Sequence, residues 1–230
     1  MDALLYDKIY KSKNYSAESE ALHRHIQAAF AGASTLLDVA CGTGRHLEFL
    51  GRHYRAEGLD LDQDLLVGAK ERCPEMEFYQ ADMRKFNLGK GFDAITCLFS
   101  AIGYLPSVGE LEQTLRTLSS HLNPGGVLLI ERWIYPEDWQ ESHVGAAFVD
   151  EPDLKIARMH VSKREGRVSV MHFHYMIATP GGVEESDDVD KLYLFSHEEY
   201  MSAFEKAGLQ VSYEPGFGRG LYLGKKGERE

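Results

Sequence analysis

Cysteine is scarce in this chain of 230 residues: Cys41, Cys73 and Cys97 are the only three. They are scattered, odd in number and never in C-x-x-C spacing, so they read as buried reduced thiols and point to the cytoplasm. Long apolar runs are also missing. None approaches transmembrane length, which leaves no membrane partner. The opening Met1-Asp2-Ala3-Leu4-Leu5-Tyr6-Asp7 has neither a basic n-region nor a long apolar core, so no signal peptide is expected. Positive charge is short as well. Lys and Arg number 25 against 36 Asp and Glu, a formal net charge of −11, and no long basic cluster stands out. That argues against a nucleic acid polymer, whose phosphates demand a basic stripe. It leaves room for a small anionic ligand, which one well-placed Arg can hold. There is no internal repeat and no low-complexity segment. Hydrophobic residues make up 43%, enough for a buried core in one domain, or in one domain carrying an insertion.

What is present begins with Leu36-Leu37-Asp38-Val39-Ala40-Cys41-Gly42-Thr43-Gly44-Arg45-His46. An apolar run ends at an acid, breaks into a Gly-x-Gly turn and restarts with helical periodicity. Glycine there lets a backbone approach a nucleotide cofactor closely. The third glycine of a dinucleotide G-x-G-x-x-G would fall at 47, where the chain has Leu47. A pyrophosphate cradle has no need of a carboxylate, yet Asp38 sits just ahead of the turn. A carboxylate suits a ligand with an ammonium group, and S-adenosylmethionine (SAM) is such a ligand.

The periodicity predicts a helix over 16–30, with Leu22, Ile26, Ala29 and Phe30 on one face, after a Tyr-rich lead-in. Strands follow over 36–39, 55–59, 76–79, 92–98 and 127–131, with helices over 45–51, 62–73 (Asp62 as cap) and 107–122. Asn123-Pro124-Gly125-Gly126 reads as a turn. This alternation predicts an α/β fold: a doubly wound, mostly parallel sheet covered on both faces. From 133 to 195 the strands look longer and antiparallel, with turns at Lys163-Arg164-Glu165-Gly166 and Pro180-Gly181-Gly182. Along 168–177, Met171, Phe173, Tyr175 and Ile177 share one face; Val168, Val170, His172 and His174 share the other. This block reads as an insertion that builds a substrate wall. Ser196 caps a helix to Lys206, strand character resumes over 209–213, and the charged tail after Gly224 is expected to fray.

Asp38, Asp60 and Asp82 each follow a strand, so a doubly wound sheet turns all three toward one crevice. Asp38 can accept from the methionine ammonium, Asp60 from the ribose diol, and Asp82 from the adenine amino group, with the Met83 amide reading a ring nitrogen. Gly42 and Gly44 admit the ligand. Asp is also a common cap and turn residue, but three together beside the glycine turn favour the site. In these residues the chain resembles the class I SAM-dependent methyltransferases. Asp38 to Gly44, Gly58-Leu59-Asp60, Ala81-Asp82-Met83 and Leu122-Asn123-Pro124-Gly125-Gly126 look like their successive motifs, across about 36–131. The resemblance implies a seven-stranded Rossmann-like sheet with SAM at its carboxyl edge. It adds Tyr6, Ala40, Leu61, Phe99 and Ser100 to the cofactor-binding residues. It divides the chain into a SAM-binding domain (1–132 and 196–230) and the antiparallel insertion (133–195).

The loop from Cys97 to Leu105 lacks the Asn/Asp-Pro-Pro-Tyr pattern of amino-methylating DNA enzymes, which with the acidic charge favours a small metabolite. A narrower resemblance runs through Tyr6-Asp7, Lys13-Asn14-Tyr15, Phe99-Ser100-x-Ile102-Gly103-Tyr104, Trp133-x-x-Pro136-Glu137, Arg164-Glu165-Gly166 and Gly218-Arg219-Gly220-Leu221. These look like the nucleotide-sugar N,N-dimethyltransferases, which implies a dTDP-linked 3-amino deoxysugar as acceptor. Where relatives often read Glu-Pro-Trp-Trp-Phe-Pro-Glu, this chain has Glu131-Arg132-Trp133-Ile134-Tyr135-Pro136-Glu137, and some relatives place His at the position of Tyr104. An N- or O-methyltransferase of another small molecule, or a non-catalytic SAM-binding module, stands as the alternative. Tyr15 and Tyr104 are the candidate catalytic residues, orienting an amine or merely shaping the pocket. Arg219 can grip a pyrophosphate or sit solvated in a turn. Trp133 and Tyr135 can stack on a base or sugar, or pack in the core. His143 is a weak candidate base for O-transfer. His172 and His174 lack a third ligand, so no metal site is expected. Met171, Phe173 and Tyr175 pack beneath the inserted sheet or meet a second copy in a homodimer.

Overall fold

The computed structural model describes residues 3–228. Its centre is a seven-stranded sheet built from β1 (Thr35–Val39), β2 (Arg55–Asp60), β3 (Phe78–Gln80), β4 (Phe92–Cys97), β5 (Leu122–Glu131), β10 (Leu209–Glu214) and β11 (Leu221–Lys226). The strand order is β10-β11-β5-β4-β1-β2-β3, and β11 runs antiparallel to both neighbours. Alternation along the strands explains the layering. Leu37 and Val39 of β1 face a core shared with α5 (Val108–Ser120) and α6 (His197–Lys206), through Leu111, Leu115, Tyr200 and Phe204. Leu36 faces the opposite core, with Leu22 and Ile26 of α2 (Tyr15–Ala29) and Leu47 and Leu50 of α3 (Leu47–Leu50). Each of these side chains is fully buried and contributes about 1.5–3 kcal/mol. Asp38 shares the parity of Leu36, so the same alternation that builds the core buries a carboxylate at its upper edge.

Capping fixes the helix starts. Asp62 accepts from the Asp64 and Leu65 amides ahead of α4 (Gln63–Arg72), Ser107 caps α5, and Ser196 forms a capping box with Glu199 at α6. Among the described residues no helix is long and apolar enough to cross a membrane.

Four strands form a second, antiparallel sheet: β6 (Val144–Glu151), β7 (Leu154–Glu165), β8 (Val168–Thr179) and β9 (Gly182–Tyr193), in that order. Met171, Phe173 and Tyr175 turn inward and pack with Trp133, Leu192 and Leu194. The outer face is also apolar: Val144, Phe148, Met159, Val161 and Met176 are exposed there, Phe148 by 72%.

Four details depart from the sequence reading. The tail after Gly224 does not fray up to Lys226, because β11 is clamped between β5 and β10; the Lys226 ammonium donates to the Ser119 and Leu122 carbonyls at the end of α5. The Tyr-rich lead-in contains a helix, α1 (Ala3–Ile9). The helix expected from 45 begins at Leu47. The Asn123–Gly126 turn is absorbed within β5 as an irregularity: Phe92 pairs with Leu122, and Ala94 already with Val127.

Candidate functional site

The carboxyl ends of β1, β2, β3 and β4 open on one crevice, at the point where the strand order reverses between β1 and β4. Backbone strain collects there. Ala40 after β1 (φ 57°) and Phe99 and Ser100 after β4 (φ 52° and 61°) occupy the left-handed region, costly for residues with a Cβ. Contacts hold them in place: the Phe99 amide donates to buried Glu131 at 2.6 Å and the Ser100 hydroxyl to the Arg132 carbonyl at 2.7 Å. A cavity of about 1220 Å³ lies over this edge, walled on the far side by the inner face of the antiparallel sheet.

Asp60 binds the turn to the second strand. Its carboxylate accepts from the Gly42 amide at 2.7 Å and the Asp62 amide at 2.9 Å, and burial nonetheless raises its pKa. Asp60 lines the cavity, and each carboxylate oxygen can accept a second hydrogen bond, enough for a vicinal diol. Gly42 has φ +54° and open space where a Cβ would stand, so its backbone can meet a ligand. Gly44 does something else. It does not line this cavity, and a Cβ there would press within 3.3–3.4 Å of Ala69, so this glycine seats α4 against the turn. Leu61, Met83 and Asp82 line the adjoining wall. Asp82 is held below the usual carboxylate range by Arg84, whose backbone and guanidinium both donate to it, and a carboxylate can accept a further donor.

A small annex of about 40 Å³ opens beside Ala40 and Gly42, lined by Tyr6, Tyr15, Asp38, Arg45 and His46 among others. Asp38 accepts from the Thr96 hydroxyl at 2.7 Å, and burial pushes its pKa up to about 6. Arg45 lies over the Tyr15 ring, 4.8 Å from its centroid, and its Nε is buried without a hydrogen-bond partner. An acid and a guanidinium whose Nε is unpartnered, both lining one small space, fit the two ends of an amino-acid zwitterion. The donor set therefore fits SAM: Asp60, Leu61, Asp82 and Met83 for the adenosine, Asp38 and Arg45 for the methionine. Sequence reading missed Arg45, which there marked only the start of a helix.

The remaining candidates divide. Tyr6, Phe99, Ser100, Tyr104, Trp133 and Arg219 all line the large cavity, as does His143. Tyr15 is buried in the annex against His46 rather than in the large cavity. Arg219 lies over the Trp133 ring at 4.5 Å; Lys13, Arg132 and Arg158 line the same cavity, with Lys13 paired to Glu18 and Arg132 to Asp138. Tyr135 lines neither the cavity nor the annex. It is buried in the core with its hydroxyl tied to Tyr222 at 2.6 Å and to His197 at 3.3 Å, so the stacking role considered for it does not fit. His172 and His174 are exposed on the outer face, and His172 pairs with Asp187 at 2.7 Å.

Helix α1 straps across both parts. Asp7 accepts from Thr43 in the glycine turn at 2.6 Å and pairs with Arg72 of α4. Lys8 and Lys11 pair with Glu151 of β6, and Arg158 of β7 donates to Tyr10 at 2.9 Å. Tyr6 and Tyr10 are thereby held over the cavity.

A methyltransferase-domain family profile matches residues 36–126. The chain is 40% identical to dTDP-3-amino-3,4,6-trideoxy-alpha-D-glucopyranose N,N-dimethyltransferase of Streptomyces venezuelae, covering 96% of this chain and 95% of that protein. It is 38% identical to dTDP-3-amino-3,6-dideoxy-alpha-D-glucopyranose N,N-dimethyltransferase of Streptomyces fradiae, covering 99% and 91%. Among solved structures it superposes on SAM-bound CalS10, an amino pentose methyltransferase of Micromonospora echinaspora, with a TM-score of 0.89, 38% identity and 96% of each chain covered.

Proposed function

This chain belongs to the SAM-dependent sugar N-methyltransferases, and from that premise we propose that it methylates, twice, the amine of a dTDP-linked 3-amino deoxysugar. The observation that carries the reading is similarity along the whole length, including the antiparallel sheet that walls the acceptor side of the cavity. SAM, when bound, supplies an electrophilic methyl on a sulfonium. The protein's part is alignment and exclusion of water, since in-line displacement gains most from orientation. Asp60, Leu61, Asp82 and Met83 hold the nucleoside, and Asp38 and Arg45 hold the methionine end, with Tyr15 packed under Arg45. Tyr104 orients the amine. Arg219, stacked on Trp133, takes the diphosphate as a charged fork. An amine must be neutral to attack, and burial beside a cationic sulfur lowers its pKa in that direction.

In the same reading, residues 1–132 and 196–230 form the SAM-binding domain and 133–195 the acceptor-binding insertion. The exposed apolar face of β6–β9 supports a homodimer, which light scattering would detect as twice the monomer mass. Three free cysteines support the cytoplasm. Mass spectrometry tests the function: with SAM and a dTDP-3-amino-3,6-dideoxyhexose, the acceptor gains one and then two methyl groups. An acceptor left unmodified by protein that binds SAM would return the substrate to open search.

A further inference from the structure

Among the described residues four cationic side chains line the large cavity: Lys13, Arg132, Arg158 and Arg219. Carboxylates account for half of them. Lys13 pairs with Glu18, and Arg132 reaches Asp138 at 3.7 Å. Neither Arg158 nor Arg219 has an ion-pair partner among the described residues. Arg158 stands at an inward position of β7, level with Tyr175 of β8. Its guanidinium lies over the rings of Tyr10 and Phe173, 5.1 Å and 4.8 Å from their centroids. Nη1 donates to the Tyr10 hydroxyl at 2.9 Å, while Nε is buried with no hydrogen-bond partner. Asp188 and Asp190 face the same cavity from β9. There β8 stands between β9 and β7, and among the described residues no ion pair joins either acid to Arg158.

A guanidinium is a planar fork. Its Nε–H and one Nη2–H point the same way and form an edge that matches two oxygens of a phosphate. In Arg158 the Nη1 end is spent on Tyr10, which holds the plane, and that edge is left open at Nε. A buried donor without a partner is costly, and a charge taken from water needs an opposite one. The ligands of the reading above bring few anions. The methionine carboxylate of SAM belongs to Arg45 in the annex, which leaves the acceptor's diphosphate, with one negative charge on each phosphate. Asp188 and Asp190 repel an anion from the β9 side, so the diphosphate is left the side of β7 and Arg219. We propose that Arg158 is a substrate-binding residue that grips one phosphate of the acceptor through its Nε–Nη2 edge, while Arg219 takes the other. The inference rests on the nucleotide-sugar reading above. It also gives the Tyr10 contact a purpose: the strap helix α1 sets the plane of a guanidinium that the acceptor then uses.

The test uses the full chain, saturated with SAM and titrated calorimetrically with dTDP. Arg158→Ala should raise the dTDP Kd about tenfold or more while the SAM Kd stays within about twofold, because one charged bidentate contact is lost. Arg158→Lys keeps the stem and the charge but has no planar edge, and should cost about fivefold. Phosphorus NMR of bound dTDP adds a readout that a merely structural role would leave alone. Arg158→Lys should shift one phosphorus resonance and Arg219→Lys the other. A dTDP Kd for Arg158→Ala within about twofold of wild type, or both phosphorus resonances unmoved in Arg158→Lys, would overturn the inference. The second outcome decides even if Arg158→Ala fails to fold. Wild-type protein that binds SAM but not dTDP overturns the nucleotide-sugar reading and the inference together. Wild-type dTDP binding that neither Arg158 variant weakens overturns the inference alone.

Discussion

Asp38 should cost the free protein stability and return it as SAM affinity, and Asp38→Asn separates the two. The carboxyl is 2% exposed, and burial lifts its pKa from the ordinary 3.8 to about 6. That difference is worth about 3 kcal/mol. The sign follows from which form the fold prefers. The folded state holds the proton more tightly than the unfolded state does, so this group's contribution to stability is full below about pH 4. It is lost as pH rises through about 6. At pH 7.5 the free wild-type chain thus carries an ionised carboxylate that folding disfavours. Asn is neutral at every pH, and its carbonyl can still accept from Thr96. Free Asp38→Asn should therefore be about 1–3 kcal/mol more stable at pH 7.5, roughly 3–9 °C in Tm for a chain of this size. Near pH 4 the two proteins should melt together. With SAM that advantage should shrink or vanish, because a charge-assisted hydrogen bond to the ammonium is worth about 1.5–3 kcal/mol, or about 10–100-fold in Kd. Thermal unfolding across pH, with and without SAM, reads all of this in one plate. An Asn variant less stable than wild type at pH 7.5, or one whose melt SAM raises as much as wild type's, would refute the reasoning.

The two glycines of the turn should fail differently. Gly42→Ala places a methyl in the cofactor space and should weaken SAM binding at least tenfold, whereas Gly44→Ala meets Ala69 and should chiefly lower Tm, by the equivalent of about 1–3 kcal/mol. Calorimetric titration beside a melt separates them, and equal loss of SAM affinity in both would contradict the assignment. Arg219→Ala should raise the acceptor KM about tenfold or more with kcat little changed, as one charged phosphate contact is removed. An unchanged KM would place the diphosphate elsewhere. Asp7→Asn keeps the acceptor for Thr43 but loses the charge opposite Arg72, so hydrogen exchange over residues 3–10 should speed up and SAM Kd rise about 3–10-fold. Exchange at the wild-type rate would show that the strap does not depend on this latch.

The parallel sheet was legible because its strands are apolar and short and each runs into a glycine, a cap or an acid. Asp38, Asp60 and Asp82 were legible for the same reason: strand ends are local, and a parallel sheet turns them to one edge. What escaped depends on contacts between distant segments. Gly224 reads as a strand breaker, yet a Cβ there would stand 2.5 Å from Phe204, so the glycine is the condition for α6 to pack on β11. Tyr135 has the composition of a stacking residue, and only Tyr222 and His197, far along the chain, show that its hydroxyl is spent in the core. Arg45 follows the glycine turn with nothing in its neighbours to say which way it points.

The measurement that bears most directly on the central claim is the position of the transferred methyl. The purified chain is incubated with SAM carrying an isotopically labelled methyl and a dTDP-3-amino-3,6-dideoxyhexose, and the product is read by NMR. Two labelled methyls correlated to the amine-bearing carbon are the expected result. Label on a hydroxyl oxygen, or an unlabelled sugar in a sample whose SAM binding is intact, would contradict it.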